Sequence, residues 1–321
     1  MQALLGLTLL LVARPTAARK GARALGKFHG GIEADEAMAT TSTVLTRVNP
    51  RARVLAIVGD PVGVTRSPID FPAALAKVPA SRDAVLVPLD VADGALGAVA
   101  RGLLGARNFD GFIVTKPHKA AVVEHCTHLT SAARALGCAN VVRVVDGATV
   151  VGTNLDGVGF VAGLVAEHGS DAVRGKRCVL VGAGGAARAI AHELLGAGAA
   201  RVAVRNRTRR RAEALAAAVP GVEVLDALES AADFDILVQC TSLGHGAGDP
   251  DPVPHDLLVP PLLCCEVIHT PADTAFLLAA ASRGCATHRG KFMLDAQIEA
   301  IARFLTTEVD TWPEGWAYAP K

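Results

Sequence analysis

The chain has 321 residues, of which 51% are hydrophobic and 20% are charged, and its formal net charge is +1. This length allows two domains with a substantial apolar core, and a near-neutral chain gives no reason to expect a nucleic-acid partner. The seven cysteines form no Cys-x-x-Cys pair and lie mostly in apolar runs. That distribution predicts reduced, buried thiols and argues against a disulfide framework or a metal site.

The N-terminal segment differs in composition from the rest of the chain. Residues 1–32 contain no Asp or Glu but five Lys or Arg side chains, behind an apolar run from Ala3 to Ala13 that is too short to span a bilayer. We therefore expect residues 1–50 to hold a targeting presequence for an organelle, with a plastid as the first candidate. The alternative is a disordered tail retained on a cytoplasmic protein. No membrane partner is expected for the mature chain, which would be a monomer or a homodimer.

Strand-like and helix-like patterns alternate between residues 51 and 156. The predicted strands are Val54–Val58, Ala84–Pro88, Gly111–Thr115 and Val141–Val145, and the predicted helices include Ala73–Lys77 and Gly94–Leu104. Asp146-Gly147 predicts a hairpin turn into a short strand from Thr149 to Gly152. Such alternation predicts an α/β domain with a mostly parallel sheet.

A glycine-rich turn marks the start of a second domain. Val179–Val181 reads as a buried strand that runs into Gly182-Ala183-Gly184-Gly185-Ala186-Ala187, and an alanine-rich helix follows to Leu195. Strand, tight turn and helix start form the arrangement that binds a dinucleotide pyrophosphate, although glycine-rich turns also occur without a cofactor.

The alternation continues to residue 268 and predicts a Rossmann domain over residues 157–289. Its other predicted elements are strands Arg201–Arg205, Glu223–Leu225, Asp235–Cys240 and Leu262–Ile268 and helices Gly159–His168 and Arg209–Ala218. An amphipathic helix, Met293–Leu305, is expected to pack back onto the first domain within residues 290–308.

The segment after the predicted strand Arg201–Arg205 selects the nucleotide. NAD enzymes usually carry an acidic residue there for the ribose 2′-hydroxyl, whereas this chain has Asn206, Arg207, Thr208 and then Arg211. Guanidinium groups bind a 2′-phosphate well, and cations at a helix N-terminus are unfavourable unless an anion is present. We therefore predict NADP rather than NAD.

Polar side chains stand near the ends of the predicted strands of the first domain, which is the ligand edge of an open α/β sheet. They are Thr65, Ser67, Thr115, Lys119, Asn140 and Asp156. Each alone is compatible with a turn, a cap or a solvated charge. Together they favour a site for a hydroxylated small molecule.

Eight segments in register resemble the shikimate dehydrogenase family over about Val54 to Leu305. They are Thr65-Arg66-Ser67-Pro68, Ile113-Val114-Thr115-Lys116-Pro117-His118-Lys119, Gly137-Cys138-Ala139-Asn140, Asn154-Leu155-Asp156-Gly157, Gly182-Ala183-Gly184-Gly185-Ala186-Ala187-Arg188, Asn206-Arg207-Thr208, Thr241-Ser242-Leu243-Gly244 and Met293-Leu294-Asp295-Ala296-Gln297.

The resemblance implies NADP-linked, reversible reduction of 3-dehydroshikimate to shikimate, a step of chorismate and aromatic amino acid biosynthesis, with Lys119 and Asp156 as the catalytic pair. The developing alkoxide needs a nearby proton donor, which the Lys119 ammonium can be while Asp156 orients it. The implied substrate contacts are Thr65 and Ser67 for the carboxylate, Thr115, Asn140 and Gln297 for hydroxyls, and His269 where the family often has a tyrosine. The implied cofactor contacts are Gly182, Gly184, Gly185, Ala186, Asn206, Arg207, Thr208, Arg211, Thr241 and Gly290.

The chain departs from the family pattern on the substrate side. Thr65 replaces a serine, Ile113 replaces an asparagine and Leu155 replaces a threonine. A site that lacks a matched polar partner can reject a substrate by orders of magnitude, so quinate or another hydroxylated ring acid is an alternative. A non-catalytic NADP or metabolite sensor is a second alternative on the same fold. A tetrahydrofolate or amino-acid dehydrogenase is a third, but it does not predict Asn206-Arg207-Thr208.

Overall fold

The computed structural model describes residues 50–64, 67–78, 84–246, 248–307, 309 and 318–320. Residues 1–49, with most of the predicted targeting segment, lie outside the described residues, so the targeting expectation stays a prediction. Both sheets belong to one compact unit, Thr46–Lys321.

Thirteen strands occur among the described residues. They are β1 (Arg53–Gly59), β2 (Ala84–Asp90), β3 (Phe109–Val114), β4 (His128–Thr130), β5 (Val141–Val144), β6 (Val150–Thr153), β7 (Arg177–Val181), β8 (Arg201–Arg205), β9 (Val222–Leu225), β10 (Ile236–Gln239), β11 (Leu263–Glu266), β12 (Ala286–His288) and β13 (Tyr318–Pro320).

The α-helices of the described part of the chain are α1 (Ser67–Leu75), α2 (Leu96–Leu104), α3 (Ser131–Leu136), α4 (Asp156–His168), α5 (Gly185–Gly196), α6 (Arg209–Ala218), α7 (Ala275–Ser282) and α8 (Gly290–Thr306). Short 3-10 turns cover Val62–Val64, Ala121–His125 and His255–Leu257.

The first sheet has the strand order β13-β4-β6-β5-β3-β1-β2. Strands β1, β2 and β3 run parallel, while β5 is antiparallel to both β3 and β6. The predicted hairpin between β5 and β6 is confirmed. Its turn is closed by Asp146, whose Oδ1 accepts hydrogen bonds from the backbone N–H groups of Ala148 and Thr149 at 3.0 and 2.6 Å.

The second sheet is parallel throughout and has the order β12-β11-β10-β7-β8-β9. This is the doubly wound Rossmann order, and the chain reverses its direction of strand addition between β7 and β10. Ligands of such sheets bind at this switch point, outside the carboxyl ends of the strands. The predicted α/β fold with a Rossmann domain is confirmed.

Helix α8 packs against both cores. Met293, near its start, belongs to the apolar cluster of the second sheet together with Leu180. Ile298 and Phe304, further along, belong to the cluster of the first sheet together with Leu55. Helix α8 therefore contributes side chains to the apolar cores of both sheets.

Two helices begin earlier than the sequence pattern predicts. Helix α1 starts at Ser67 rather than Ala73, because Pro68 lies in its first turn, where a backbone N–H has no intrahelical partner to lose. Helix α4 starts at Asp156 rather than Gly159, which places the Asp156 carboxylate at a helix N-terminus. Helix α3, helix α7 and the short strands β4, β12 and β13 were not predicted.

Candidate active site

Lys119 and Asp156 form an ion pair at the carboxyl edge of the first sheet. Lys119 follows β3, and its carbonyl oxygen accepts a 2.8 Å hydrogen bond from the Ala139 N–H, which fixes the backbone of the loop. The Lys119 Nζ lies 2.7 Å from Asp156 Oδ2. The sequence separates these two residues by one hairpin and two helical segments, and the fold brings them into direct contact.

Two amides hold the other oxygen of Asp156. Asn140 Nδ2 donates to Asp156 Oδ1 at 2.8 Å, and Gln297 Nε2, from the middle of α8, donates to the same atom. The Asn140 amide is itself fixed, because its Oδ1 accepts from the Leu155 N–H at 2.9 Å. Asp156 is therefore held by donors from three separate segments, and Lys119 can adopt only a narrow range of positions against it.

These donors also keep Asp156 ionised. Burial would raise the pKa of this carboxyl, but the Lys119 charge and the hydrogen bonds from Lys119, Gln297 and Asn140 outweigh it, so the pKa is lowered. The positive end of α4 acts in the same direction. Asp156 is therefore held as a carboxylate that accepts a hydrogen bond from Lys119.

Cys138 and Asn154 complete the surroundings of the carboxylate, and neither was predicted as a site residue. Asn154 Oδ1 accepts from the Asp156 N–H at 3.1 Å, and its Nδ2 lies 3.4 Å from Cys138 Sγ. Burial, followed by the charge of Asp156, raises the pKa of the Cys138 thiol, so it stays protonated at neutral pH. The signal for Asn154 is the Asn-x-Asp spacing before a helix, which is typical of an Asx turn.

Small residues let α4 approach its neighbours closely enough to bring Asp156 into place. A Cβ on Gly157 would lie 2.2 Å from the Ala189 carbonyl oxygen of α5. A Cβ on Gly159 would lie 2.6 Å from the Gln297 Cβ of α8. Any larger side chain at these positions would push α4 away from α5 or from Gln297 of α8.

The other predicted substrate contacts are only partly described. Thr115 is half-buried directly after β3, with its methyl group against Gly59. Thr65 lies outside the described residues, and for Ser67 the structure describes only its backbone at the start of α1. His269 is exposed on the loop after β11, at the carboxyl edge of the second sheet.

The glycine-rich turn has the geometry that a pyrophosphate requires. Gly182 has φ +111°, and a Cβ there would meet the Cys240 backbone at 2.9 Å, so only glycine fits. Gly184 and Gly185, by contrast, face open space, with no atom within 4 Å of an added Cβ. Gly184 caps α5 without any side-chain hydrogen bond. The first N–H groups of α5, including that of Ala186, are thus available to an anion.

The arginines of the basic segment after β8 differ in whether their side chains already have partners. Arg209 is engaged by Glu213 at 2.8 Å and by Asp226. Arg207 and Arg211 are exposed, and no hydrogen bond or ion pair of their side chains occurs among the described residues. Thr208 caps α6 without using its hydroxyl. Asn206 orders the turn by donating to the Thr208 carbonyl at 2.9 Å.

Thr241 and Gly290 lie at the same carboxyl edge and contribute to its backbone order. Thr241 Oγ1 accepts from the Leu243 N–H at 3.1 Å and shapes the loop after β10. A Cβ on Gly290 would lie 2.3 Å from the Ile268 carbonyl oxygen, so this glycine permits the close start of α8 against the loop that follows β11.

In the part of the chain that the structure describes, no cluster of three or more His, Cys, Asp or Glu residues could hold a metal ion. The helices described there are all too short or too polar to traverse a bilayer.

Two family models match the chain in the order of its two sheets. Residues 57–142 match the shikimate dehydrogenase substrate binding domain, and residues 164–246 match shikimate / quinate 5-dehydrogenase. A shikimate dehydrogenase (NADP(+)) from Rubrobacter xylanophilus is 39% identical over 256 residues, which cover 77% of this chain and 88% of the relative. The curated relatives found are bacterial and give no support to a plastid address.

Solved structures share the fold over most of its length. The shikimate 5-dehydrogenase of Thermus thermophilus, in complex with NADP(H) and shikimate, is 30% identical with a TM-score of 0.71, covering 82% of this chain and 95% of that one. The ligand-free 5-ketofructose reductase of a Gluconobacter strain is also 30% identical, with a TM-score of 0.73 and coverage of 83% and 96%.

Proposed function

The chain belongs to the shikimate dehydrogenase family, and on that premise we propose that it catalyses the reversible, NADP-dependent reduction of 3-dehydroshikimate to shikimate. The observation that carries the proposal is the Lys119–Asp156 pair, whose Nζ and Oδ2 atoms lie 2.7 Å apart at the carboxyl edge of the first sheet. A binding protein has no need for a buried carboxylate held by two amides beside an ammonium group. A non-catalytic sensor is accordingly disfavoured.

Bound NADPH would supply the hydride for the substrate carbonyl carbon. The carbonyl oxygen then gains negative charge, and Lys119 is the group that donates a proton to it. Asp156 remains a carboxylate throughout and stabilises the ammonium form of Lys119 before the transfer. In the reverse direction neutral Lys119 accepts the hydroxyl proton.

Asn140 and Gln297 have hydrogen-bonding capacity left for the substrate. Each amide nitrogen has two N–H groups, of which one donates to Asp156. The second N–H of each is available to a ring hydroxyl. We assign both amides two roles: they hold Asp156 in place, and they donate hydrogen bonds to the ring hydroxyls of the substrate beside it.

The cofactor is proposed to bind along the carboxyl edge of the second sheet. The pyrophosphate would lie over Gly184 and Gly185 at the start of α5, where the helix N–H groups are uncapped. The 2′-phosphate would lie between Arg207, the Thr208 hydroxyl and Arg211. Arg209 is not assigned to the cofactor, because its guanidinium already pairs with Glu213 and Asp226.

A related substrate is the second candidate. Thr65, Ile113 and His269 depart from the family pattern on the substrate side, and a fold relative with similar coverage is a 5-ketofructose reductase. Both observations favour a hydroxylated carbonyl compound, of which quinate-type ring acids and open-chain keto sugars are members. The pair Lys119 and Asp156 would act on any of them in the same way.

The test combines a substrate panel with a matched pair of lysine variants. Purified protein is assayed with NADP+ and either shikimate or quinate in the oxidative direction, and with NADPH and 5-ketofructose in the reductive direction. Lys119→Ala should lower kcat by at least about a hundredfold while leaving NADP affinity nearly unchanged. Lys116→Ala, an exposed lysine in the same loop, should keep kcat within about twofold.

Two outcomes would contradict this proposal. Turnover of another compound of the panel far above that of shikimate would replace the substrate and leave the mechanism standing. Normal turnover in Lys119→Ala would remove the mechanism itself.

A further inference from the structure

A buried polar network lies at the carboxyl ends of β10 and β11, apart from Lys119 and Asp156. Its members are Gln239, the last residue of β10, Glu266, the last residue of β11, and Thr274, which caps α7. All three residues are at most 1% exposed to solvent. No ion pair to the Glu266 carboxylate occurs among the described residues, and the proposed mechanism does not use this carboxylate.

The Glu266 carboxylate accepts hydrogen bonds from both the backbone and a side chain. Its Oε1 accepts from the N–H groups of Val267 and Ile268 at 2.8 and 3.0 Å. Its Oε2 accepts from the Thr274 hydroxyl at 2.9 Å. The hydroxyl proton of Thr274 has no other acceptor among the described residues, so the hydroxyl is the donor in this bond.

Gln239 supplies the fourth donor to Glu266. The Gln239 Oε1 accepts from the Thr241 N–H at 2.6 Å and its Nε2 donates to the Leu243 carbonyl oxygen at 2.7 Å, which fixes the orientation of the amide. Its bond to Glu266 therefore uses the second N–H of Nε2. Burial raises the pKa of Glu266, but a protonated carboxyl needs an acceptor for its O–H, and the side chains of this network offer only donors. They favour the carboxylate form.

This network lies under the part of the carboxyl edge that the nicotinamide half of the cofactor would occupy. The proposed 2′-phosphate site follows β8, and the proposed pyrophosphate site follows β7. The other half of the dinucleotide would therefore extend over β10 and β11, on the far side of β7. Strand β11 lies two strands, about 10 Å, from β7.

The network also holds two of the predicted cofactor contacts. Thr241 donates its N–H to Gln239. Gly290 lies against the carbonyl group of Ile268, and the Ile268 N–H is held by Glu266. Displacement of Glu266 would thus be felt on the surface that faces the cofactor.

We propose that Glu266 is a specificity-determining residue whose buried negative charge favours NADP+ over NADPH, a role that rests on the cofactor placement proposed above. The two forms differ at the nicotinamide ring, which is positively charged in NADP+ and neutral in NADPH. A fixed carboxylate near this ring would stabilise the charged form and leave the binding of the neutral form almost unchanged. It would also stabilise the positive charge that the ring gains during carbonyl reduction.

The experiment compares the dissociation constants of NADP+ and NADPH, measured by calorimetry on the protein without substrate. Glu266→Gln keeps the shape of the side chain and removes its charge, whereas Gln239→Lys keeps Glu266 and places an ammonium group beside it. In each variant the ratio of the NADP+ constant to the NADPH constant should rise about tenfold, the effect of a unit charge about 10 Å away at an effective dielectric constant of about 20. Because Gln239→Lys leaves Glu266 in place, it decides the question even where Glu266→Gln does not fold.

Thr274→Val is the matched control, because it removes one donor from the same network and keeps the carboxylate. A loss of order in the loops should weaken NADP+ and NADPH alike, so the ratio should stay within about twofold of the parent value. An unchanged ratio in the two charge-neutralising variants, or an equal rise in Thr274→Val, would overturn the role of Glu266 and leave the cofactor site standing. Failure of the parent to bind either form would instead overturn the proposed function.

Discussion

The close contact between α4 and α8 predicts the effect of one added methyl group at Gly159. In Gly159→Ala the new Cβ would lie 2.6 Å from the Gln297 Cβ and 2.8 Å from the Met293 carbonyl oxygen. Ordinary carbon–carbon contacts are about 3.5–4.0 Å, so α4 and α8 must separate by about 1 Å, because rotation of the Gln297 side chain moves neither its Cβ nor the Met293 carbonyl oxygen. Overpacking of this kind costs about 1–3 kcal/mol, whereas alanine in a helix gains up to about 1 kcal/mol over glycine.

Gly196→Ala provides the matched control, because Gly196 is also helical but has no atom within 4 Å of an added Cβ. This variant should gain the stability that alanine's higher helix propensity provides, without the cost of overpacking. The difference in unfolding free energy between the two variants, measured by urea denaturation, should therefore be about 1–3 kcal/mol. If the added Cβ also breaks the Gln297–Asp156 hydrogen bond, a loss of about 1.5–3 kcal/mol in the site corresponds to a fall in kcat of about tenfold to a hundredfold. Equal stability and equal kcat in the two variants would refute the reasoning.

Two further predictions concern the cofactor and the pH dependence of stability. Arg207→Ala should lower kcat/KM for NADP by about tenfold or more, with little change for NAD, while Arg209→Ala should leave the preference intact; an NAD preference equal to that for NADP in the parent would contradict the assignment. His288 is buried, its Nε2 has no partner among the described residues, and burial, followed by the charge of His168, lowers its pKa to about 4. Its neutral form thus contributes stability that is complete above pH ~6.5 and is lost as the pH falls toward 4. His288→Phe should reduce this acid-induced loss by about 1–3 kcal/mol, and identical pH profiles in denaturant melts would contradict it.

Local backbone requirements explain which parts of the cofactor site could be predicted from the sequence. Gly182 is identifiable because its positive φ and its contact with Cys240 allow no other residue. The Arg207 segment is identifiable because adjacent cations at a helix start need an anion. Which arginine is available was not identifiable. The partners of Arg209 include Asp226, in a separate segment, and only the fold shows that contact.

The proposed catalytic pair illustrates the opposite case. Lys119, Asp156 and Gln297 lie in separate segments, and periodicity or spacing cannot bring them together. Their positions near strand ends placed Lys119 and Asp156 in one predicted site, but only the resemblance to family motifs made them a catalytic pair and added Gln297. Even so, the position of Asp156 at the first residue of α4 went unpredicted, because Gly157 and Gly159 weakened the helical pattern there. Those same glycines allow α4 to contact α5 and α8. Gly157 and Gly159 therefore obscured the helix start in the sequence and, in the fold, position the Asp156 carboxylate.

The position of α4 determines how the reaction components are aligned. Gly157 seats the start of α4 on the Ala189 carbonyl of α5, and α5 is the helix whose N-terminus is proposed to bind the pyrophosphate. This contact fixes the position of Asp156 relative to α5. Lys119 comes from the loop after β3. The 2.7 Å contact between Lys119 and Asp156 lies at the edge of the first sheet, because Asp156 follows β6 and Lys119 follows β3. Helix α4, in turn, packs Phe160 and Leu164 into the apolar core of the second sheet. The proposed proton donor is therefore connected through α4 to the helix that is proposed to bind the hydride-donating cofactor.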